Sequence, residues 1–125
     1  MSERGVCWRQ SSYIPPMKLF LDTADVEHVA EIAAWGVLDG VTTNPSLVAL
    51  RQAQGKHPRG NSMEAEFKKT VLEMCKHVPC VSAQVTATDV AGMKKQGEEY
   101  ASWHKHVVVK VPMTTEGLRA LQYFR

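Results

Sequence analysis

Four times along the chain, a short run of β-forming residues leads through a turn into a stretch with helical apolar spacing. This recurrence restricts the fold more than any other feature of the sequence. The runs are KLFLDT (18–23), GVTTN (40–44), CVSAQV (80–85) and VVVKV (107–111). Consecutive β-α units argue for a parallel sheet joined by right-handed crossovers. Strands of such a sheet are covered on both sides, which suits a run as rich in valine as residues 107–111.

The segments between the runs supply the helices. After the first run, Val26, Val29, Ala30, Ala33 and Val37 recur at spacings of three and four. RQAQGKHPRGNS (51–62) is polar, carries Gly, Pro and cations, and reads as a surface insertion. The second long helix is expected to begin near Asn61, with Glu64 closing a capping arrangement. Phe67, Val71, Met74, Cys75 and Val78 form its apolar stripe, so Cys75 reads as a small core residue and not a nucleophile. Thr88 is expected to cap the third helix, with Val90, Met93, Gly97, Tyr100 and Ala101 facing inward. Thr114 or Thr115 starts the fourth, with Leu118, Leu121 and Phe124 to pack.

Two closures suit this α/β pattern: an open doubly wound sheet, or part of a (β/α)8 barrel. A dinucleotide-binding sheet wants a Gly-rich turn after its first strand, and DTADVEH has no glycine there. The open sheet is thereby weakened, and part of a (β/α)8 barrel is favoured. Residues 17–125 form this partial domain. Residues 1–16, which end in Pro15-Pro16 and lack periodicity, read as a disordered extension.

Partners and compartment are bounded by charge and cysteine use. A net charge of +2 gives no reason to expect nucleic acid or an anionic membrane. No apolar run approaches the roughly 18 residues of a membrane span. Cys7, Cys75 and Cys80 are an odd set without metal-ligand spacing, which fits a reduced, cytoplasmic setting.

Function enters through the alternation of strand side chains, because residues two apart share a face. Phe20 and Asp22 share one face of the first run, Thr42 and Asn44 of the second, Ser82 and Gln84 of the third, and Val108 and Lys110 of the fourth. Taken singly, each has an ordinary explanation. Asp22 could cap the next helix, and Thr42 and Asn44 could form the turn before Pro45. Ser82 and Gln84 could be satisfied inside the sheet, and Lys110 could extend its amine past the strand end. Taken together, four strands give the same layout, with polar groups near their C-terminal ends. Catalytic groups collect there on the inner face of an α/β barrel. A lysine buried among valines would also be held partly neutral by desolvation.

LFLDTAD, GVTTNPSL, VSAQV and VVVKVPMTTEGL resemble, in order and spacing, the transaldolase family, and its fructose-6-phosphate aldolase-like branch in particular. The resemblance implies that these four β/α units are the N-terminal half of a (β/α)8 TIM barrel, in a class I enzyme with a Schiff-base lysine and neither metal nor cofactor. It implies Lys110 as that lysine, Asp22 as the proton-transferring carboxylate, and Gln84 as the residue orienting the reaction water. Asn44, with Thr42 beside it, would bind substrate hydroxyls, and Ser82 would support Gln84. True transaldolases carry Glu at the position of Gln84, and glutamine resembles the aldolase variant. The implied partner is a sugar phosphate or dihydroxyacetone, on a full-length protein that forms homo-oligomers. Four strands supply half of such a barrel, so this chain alone is expected to be inactive, or to serve as a non-catalytic interaction module.

Overall fold

A computed structural model describes residues 17–55 and 62–125. The proposed extension at residues 1–16 and the expected helix start at Asn61 lie outside the described residues. The elements run β1 (Phe20–Asp22), α1 (Val26–Ala34), β2 (Gly40–Thr43), α2 (Pro45–Ala53), α3 (Met63–Met74), β3 (Val81–Gln84), α4 (Val90–Trp103), β4 (Val107–Lys110) and α5 (Thr115–Phe124).

Each helix starts on a side-chain cap that accepts a hydrogen bond from a first-turn backbone N–H. The caps are Asp25, Asn44, Ser62, Asp89 and Thr114. Asp89, not Thr88, caps α4, and Ser62 caps α3. α2 is a helix the sequence reading missed. Arg51 to Ala53, assigned above to a surface insertion, form its last turn. Its start carries two ordinary helix signals, an Asn cap followed by proline at the first turn.

The four strands pair in parallel in the order β1-β2-β3-β4. Sequential order combined with right-handed crossovers places every helix on the same side of the sheet. A doubly wound sheet would reverse its strand order and carry helices on both sides. The architecture is therefore a half TIM-barrel-like arc.

The core lies between sheet and helices. Val41, Val81, Ala83 and Val85 are buried beneath Val29, Val48, Phe67, Val71, Met74, Met93 and Tyr100. Phe67, Tyr100 and Trp103 cluster at its centre, with ring centroids 5.5 Å apart for Phe67–Tyr100 and 4.3 Å for Tyr100–Trp103. Cys75 is buried as expected, and its thiol is pushed up by desolvation, with nearby Cys80 adding to the shift. That leaves less of the reactive thiolate.

Four inward assignments fail. Val37 follows α1 and is 53% exposed, and Ala101 faces solvent. On α5 the buried residues are Gly117 and Ala120, with Phe124 packed at the edge, while Leu118 and Leu121 are exposed. The cause is close approach. A Cβ on Gly97 of α4 would stand 2.5 Å from the Phe124 ring, and one on Gly117 would stand 1.8 Å from the carbonyl oxygen of Pro112. Small residues let α5 lie tight against α4 and the loop after β4, so its larger leucines turn outward.

Candidate functional site

The two faces of the sheet differ. The helix-facing side is buried along β2 and β3. The other side presents Phe20 and Asp22 from β1, Thr42 from β2, Ser82 and Gln84 from β3, and Val108 and Lys110 from β4. Register places Asp22 beside Thr42, Thr42 beside Ser82, Ser82 beside Val108 and Gln84 beside Lys110. In a parallel sheet, laterally paired residues point to the same side. Every candidate on these strands therefore shares one face.

Within that row the Thr42 hydroxyl donates to Asp22 Oδ1 at 2.8 Å. Asp22 does not cap α1, because Asp25 does that by accepting from the His28 N–H. Asn44 lies just past β2, where its Oδ1 accepts from the Leu47 N–H at 3.1 Å to start α2. With the carboxamide oxygen committed to the cap, its Nδ2 hydrogens are the groups left to donate to a ligand. Gln84 and Lys110 are lateral neighbours, and the Lys110 carbonyl accepts from the Val85 N–H at 3.0 Å.

Two expectations need correction. Lys110 is exposed and not buried, because no layer covers this face among the described residues. Asp22 and Lys110 share the face but occupy opposite edge strands. Three strand spacings separate them, roughly 14 Å along the sheet at about 4.8 Å each. The arc brings Thr42 to Asp22 and Gln84 to Lys110. It does not bring the carboxylate to the amine.

A cavity of about 690 Å³ opens beside this row, at the C-terminal ends of the strands. Asn44, Gln84, Thr86, Thr88, Thr114 and Glu116 are among its lining residues, whereas Asp22 and Lys110 are not. Its wall after β3 is held by Gln96 of α4. Gln96 Oε1 accepts from the backbone N–H groups of Thr86 at 2.7 Å and Ala87 at 3.0 Å, and its Nε2 donates to the Thr86 hydroxyl at 2.9 Å. Sequence reasoning missed Gln96, although it falls on the same stripe of α4 as Met93, Gly97 and Tyr100.

Arg51 was missed as well. Its guanidinium pairs with Asp25, and both side chains are largely buried at 15% and 13% exposure. Partial burial pushes the Asp25 carboxyl up. The His28 N–H and the Arg51 guanidinium outweigh that and hold it below its ordinary value. The pair ties the start of α1, three residues after Asp22, to the end of α2. Among the described residues no helix is long and apolar enough to cross a membrane.

Comparison with known proteins identifies the family. A family model described as Transaldolase/Fructose-6-phosphate aldolase matches residues 19–125. A probable transaldolase of Roseiflexus sp. (strain RS-1) is 46% identical over 106 residues, covering 84% of this chain and 44% of that protein. A probable transaldolase of Porphyromonas gingivalis (strain ATCC 33277) is 48% identical over 109 residues, covering 86% and 46%. One from Kosmotoga olearia is 42% identical over 107 residues, covering 85% and 44%. The chain thus spans less than half the length of these curated relatives.

Proposed function

The chain belongs to the transaldolase/fructose-6-phosphate aldolase family, and from that footing we propose that it carries half of a Schiff-base site acting on a ketose such as fructose 6-phosphate. The observation that supports this most is the open face, where an amine, a carboxylate bonded to a threonine, and two carboxamides lie at the C-terminal ends of adjacent parallel strands.

In this reading the nitrogen lone pair of Lys110 attacks the C2 carbonyl, and the carbinolamine loses water to give an iminium. The C3–C4 bond then breaks. Its electron pair passes into the iminium to form an enamine, while the C4 hydroxyl proton goes to Asp22 and an aldehyde leaves. Thr42 holds Asp22, and Asn44 donates to substrate hydroxyls. Gln84, next to the amine, orients the water lost and regained, since an amide can bind water but takes no proton from it near neutral pH. Protonation and hydrolysis of the enamine release dihydroxyacetone, as an aldolase does. Attack of the enamine on a second aldehyde makes a transferase. Gln84 favours the aldolase outcome, because glutamine at this position resembles the aldolase branch of the family, while the relatives' names favour the transferase.

The test is reductive trapping. With fructose 6-phosphate or dihydroxyacetone and borohydride, the mass addition is expected on the peptide containing Lys110 and is expected to vanish in Lys110→Met. Labelling spread over surface lysines at similar rates would reject the proposal. Turnover asks for more than iminium formation. The amine and carboxylate stand at opposite edges of an open arc, so the monomer is expected to release little or no glyceraldehyde 3-phosphate. A second reading, a non-catalytic interaction module, draws on the exposed Phe20 and Val108 of the same face. A stable oligomer with no trapped adduct would favour it.

A further inference from the structure

We propose that Gln96 fixes the Thr86 hydroxyl as a hydrogen-bond donor to a ligand oxygen in the cavity beside the polar row. The inference deepens the proposed function by naming a further binding residue, and it rests on that reading for the ligand's class. Gln96 Oε1 accepts two backbone N–H groups, from Thr86 at 2.7 Å and from Ala87 at 3.0 Å. Turning the amide over would set Nε2, a donor, against those two donors, so its orientation is fixed. Nε2 therefore donates to the Thr86 hydroxyl oxygen, 2.9 Å away. A hydroxyl that accepts there turns its own hydrogen away from Gln96. Among the described residues that hydrogen meets no protein acceptor. Thr86 is exposed and lines the cavity, which is where the hydrogen can be given.

The rest of the lining selects what meets that donor. Asn44, whose Oδ1 caps α2, has its Nδ2 hydrogens left to give on the same cavity. Donors after β2 and after β3 together ask for a ligand with acceptor oxygens, a carbonyl or a hydroxyl. Glu116 is the one charged side chain among the lining residues. It repels an anionic group there, so the ligand end is neutral and hydroxylated. Gln96 does not line this cavity, so it is a positioning residue, and Thr86 is the group that touches the ligand. The ordinary alternative is that Gln96 only clamps the loop after β3. The two roles differ in what a glutamate would do. Near neutral pH a carboxylate at 96 still accepts from both backbone N–H groups, so the clamp is kept. It has no hydrogen to donate, so the Thr86 hydroxyl turns round to donate to it and is lost to the ligand.

The test measures dihydroxyacetone binding by saturation-transfer NMR, on the protein at its natural length carrying Lys110→Met so that no adduct forms. On that background Thr86→Val and Gln96→Glu are each expected to raise the dissociation constant about three- to tenfold, the range for one neutral hydrogen bond. The double variant is expected to bind no more weakly than either single one, since both remove the same donor. Thr86→Ser keeps the hydroxyl and is expected to bind as the parent does. Hydrogen exchange at the Thr86 and Ala87 amides is expected to stay slow in Gln96→Glu and to quicken in Gln96→Leu. Parental binding by Gln96→Glu with both amides protected would leave Gln96 a loop clamp and overturn the proposal. Unchanged binding by Thr86→Val, or no binding by the parent, would overturn it as well. Borohydride trapping at Lys110 of the unsubstituted protein is read separately, so failure of the Schiff base and failure of the Thr86 donor are distinct results.

Discussion

The two faces of one small sheet are built from the same strands, with alternate residues going to each, and they have different fates. On the helix side, Val41, Val81 and Ala83 are fully buried. On the other side, Phe20 and Val108 remain 40% and 50% exposed, and both charged strand residues are in water. Burial on the first side is settled within each β-α unit, because every crossover returns a helix to it. Burial on the second depends on strands that these four do not supply. Stability and the candidate site are thereby divided, with folding energy held under the helices and the candidate residues on the uncovered side.

The division is most exposed to test by truncating two phenylalanines. Phe67 is 1% exposed and stacks within 5.5 Å of Tyr100 and 6.0 Å of Trp103. Phe67→Ala is expected to cost about 3–5 kcal/mol, through lost transfer energy and a cavity between packed rings. Phe20 is 40% exposed, its ring lying over Gly40 of the neighbouring strand. Phe20→Ala is expected to cost about 1 kcal/mol or less. Urea unfolding at low protein concentration compares the two without the contribution of association. Equal losses would break the division between the faces.

An intermediate effect comes from titration on the covered side. Burial pushes the Tyr100 phenol up to about 12, and the charges of Glu64 and Glu99 add to it. A group raised in the folded state favours its neutral form there, so its contribution is fully present below the ordinary value of 10.0. That contribution is lost as pH rises through the folded value. The loss amounts to about 2–3 kcal/mol between the two values. Tyr100→Phe keeps the ring and removes the ionising hydroxyl, so its stability is expected to stay flatter over the same range. Identical alkaline profiles would mean that Tyr100 does not govern this limit.

The same division explains what the sequence disclosed. The strands and the α3 stripe were legible because local period and buried face coincide, as Phe67, Val71, Met74, Cys75 and Val78 show. The polar row on the open face was legible from alternation alone, since register simply lines up what the strands already carry. The exposure of Lys110 was not legible. A valine run signals burial, but among the described residues no layer covers its second face. α2 was hidden because its polar end merges with a Gly/Pro-rich stretch, although Asn44-Pro45 announced its start. The inward face of α5 was misjudged for a different reason. Large side chains set the apparent stripe, while packing density was set by Gly117, Gly97 and Ala120.

The smallest expected effect lies where the two faces meet. Asp25 follows the open-face Asp22 by three residues and is tied to Arg51 beneath the rim. Burial alone would raise its carboxyl, but the His28 N–H and the Arg51 guanidinium lower it below the ordinary 3.8. A carboxyl lowered in the folded state contributes stability that is present above 3.8 and disappears as pH falls through the folded value. Arg51→Met keeps much of the packed stem and removes the cation. The variant is expected to be less stable near neutral pH and to lose less on acidification, so the two curves converge below about pH 4. Denaturant midpoints between about pH 5 and about pH 2.5 measure this directly. Curves that stay parallel would place the acid sensitivity elsewhere. Convergence would show that the rim beneath the candidate site is held partly by charge, unlike the apolar layer behind it.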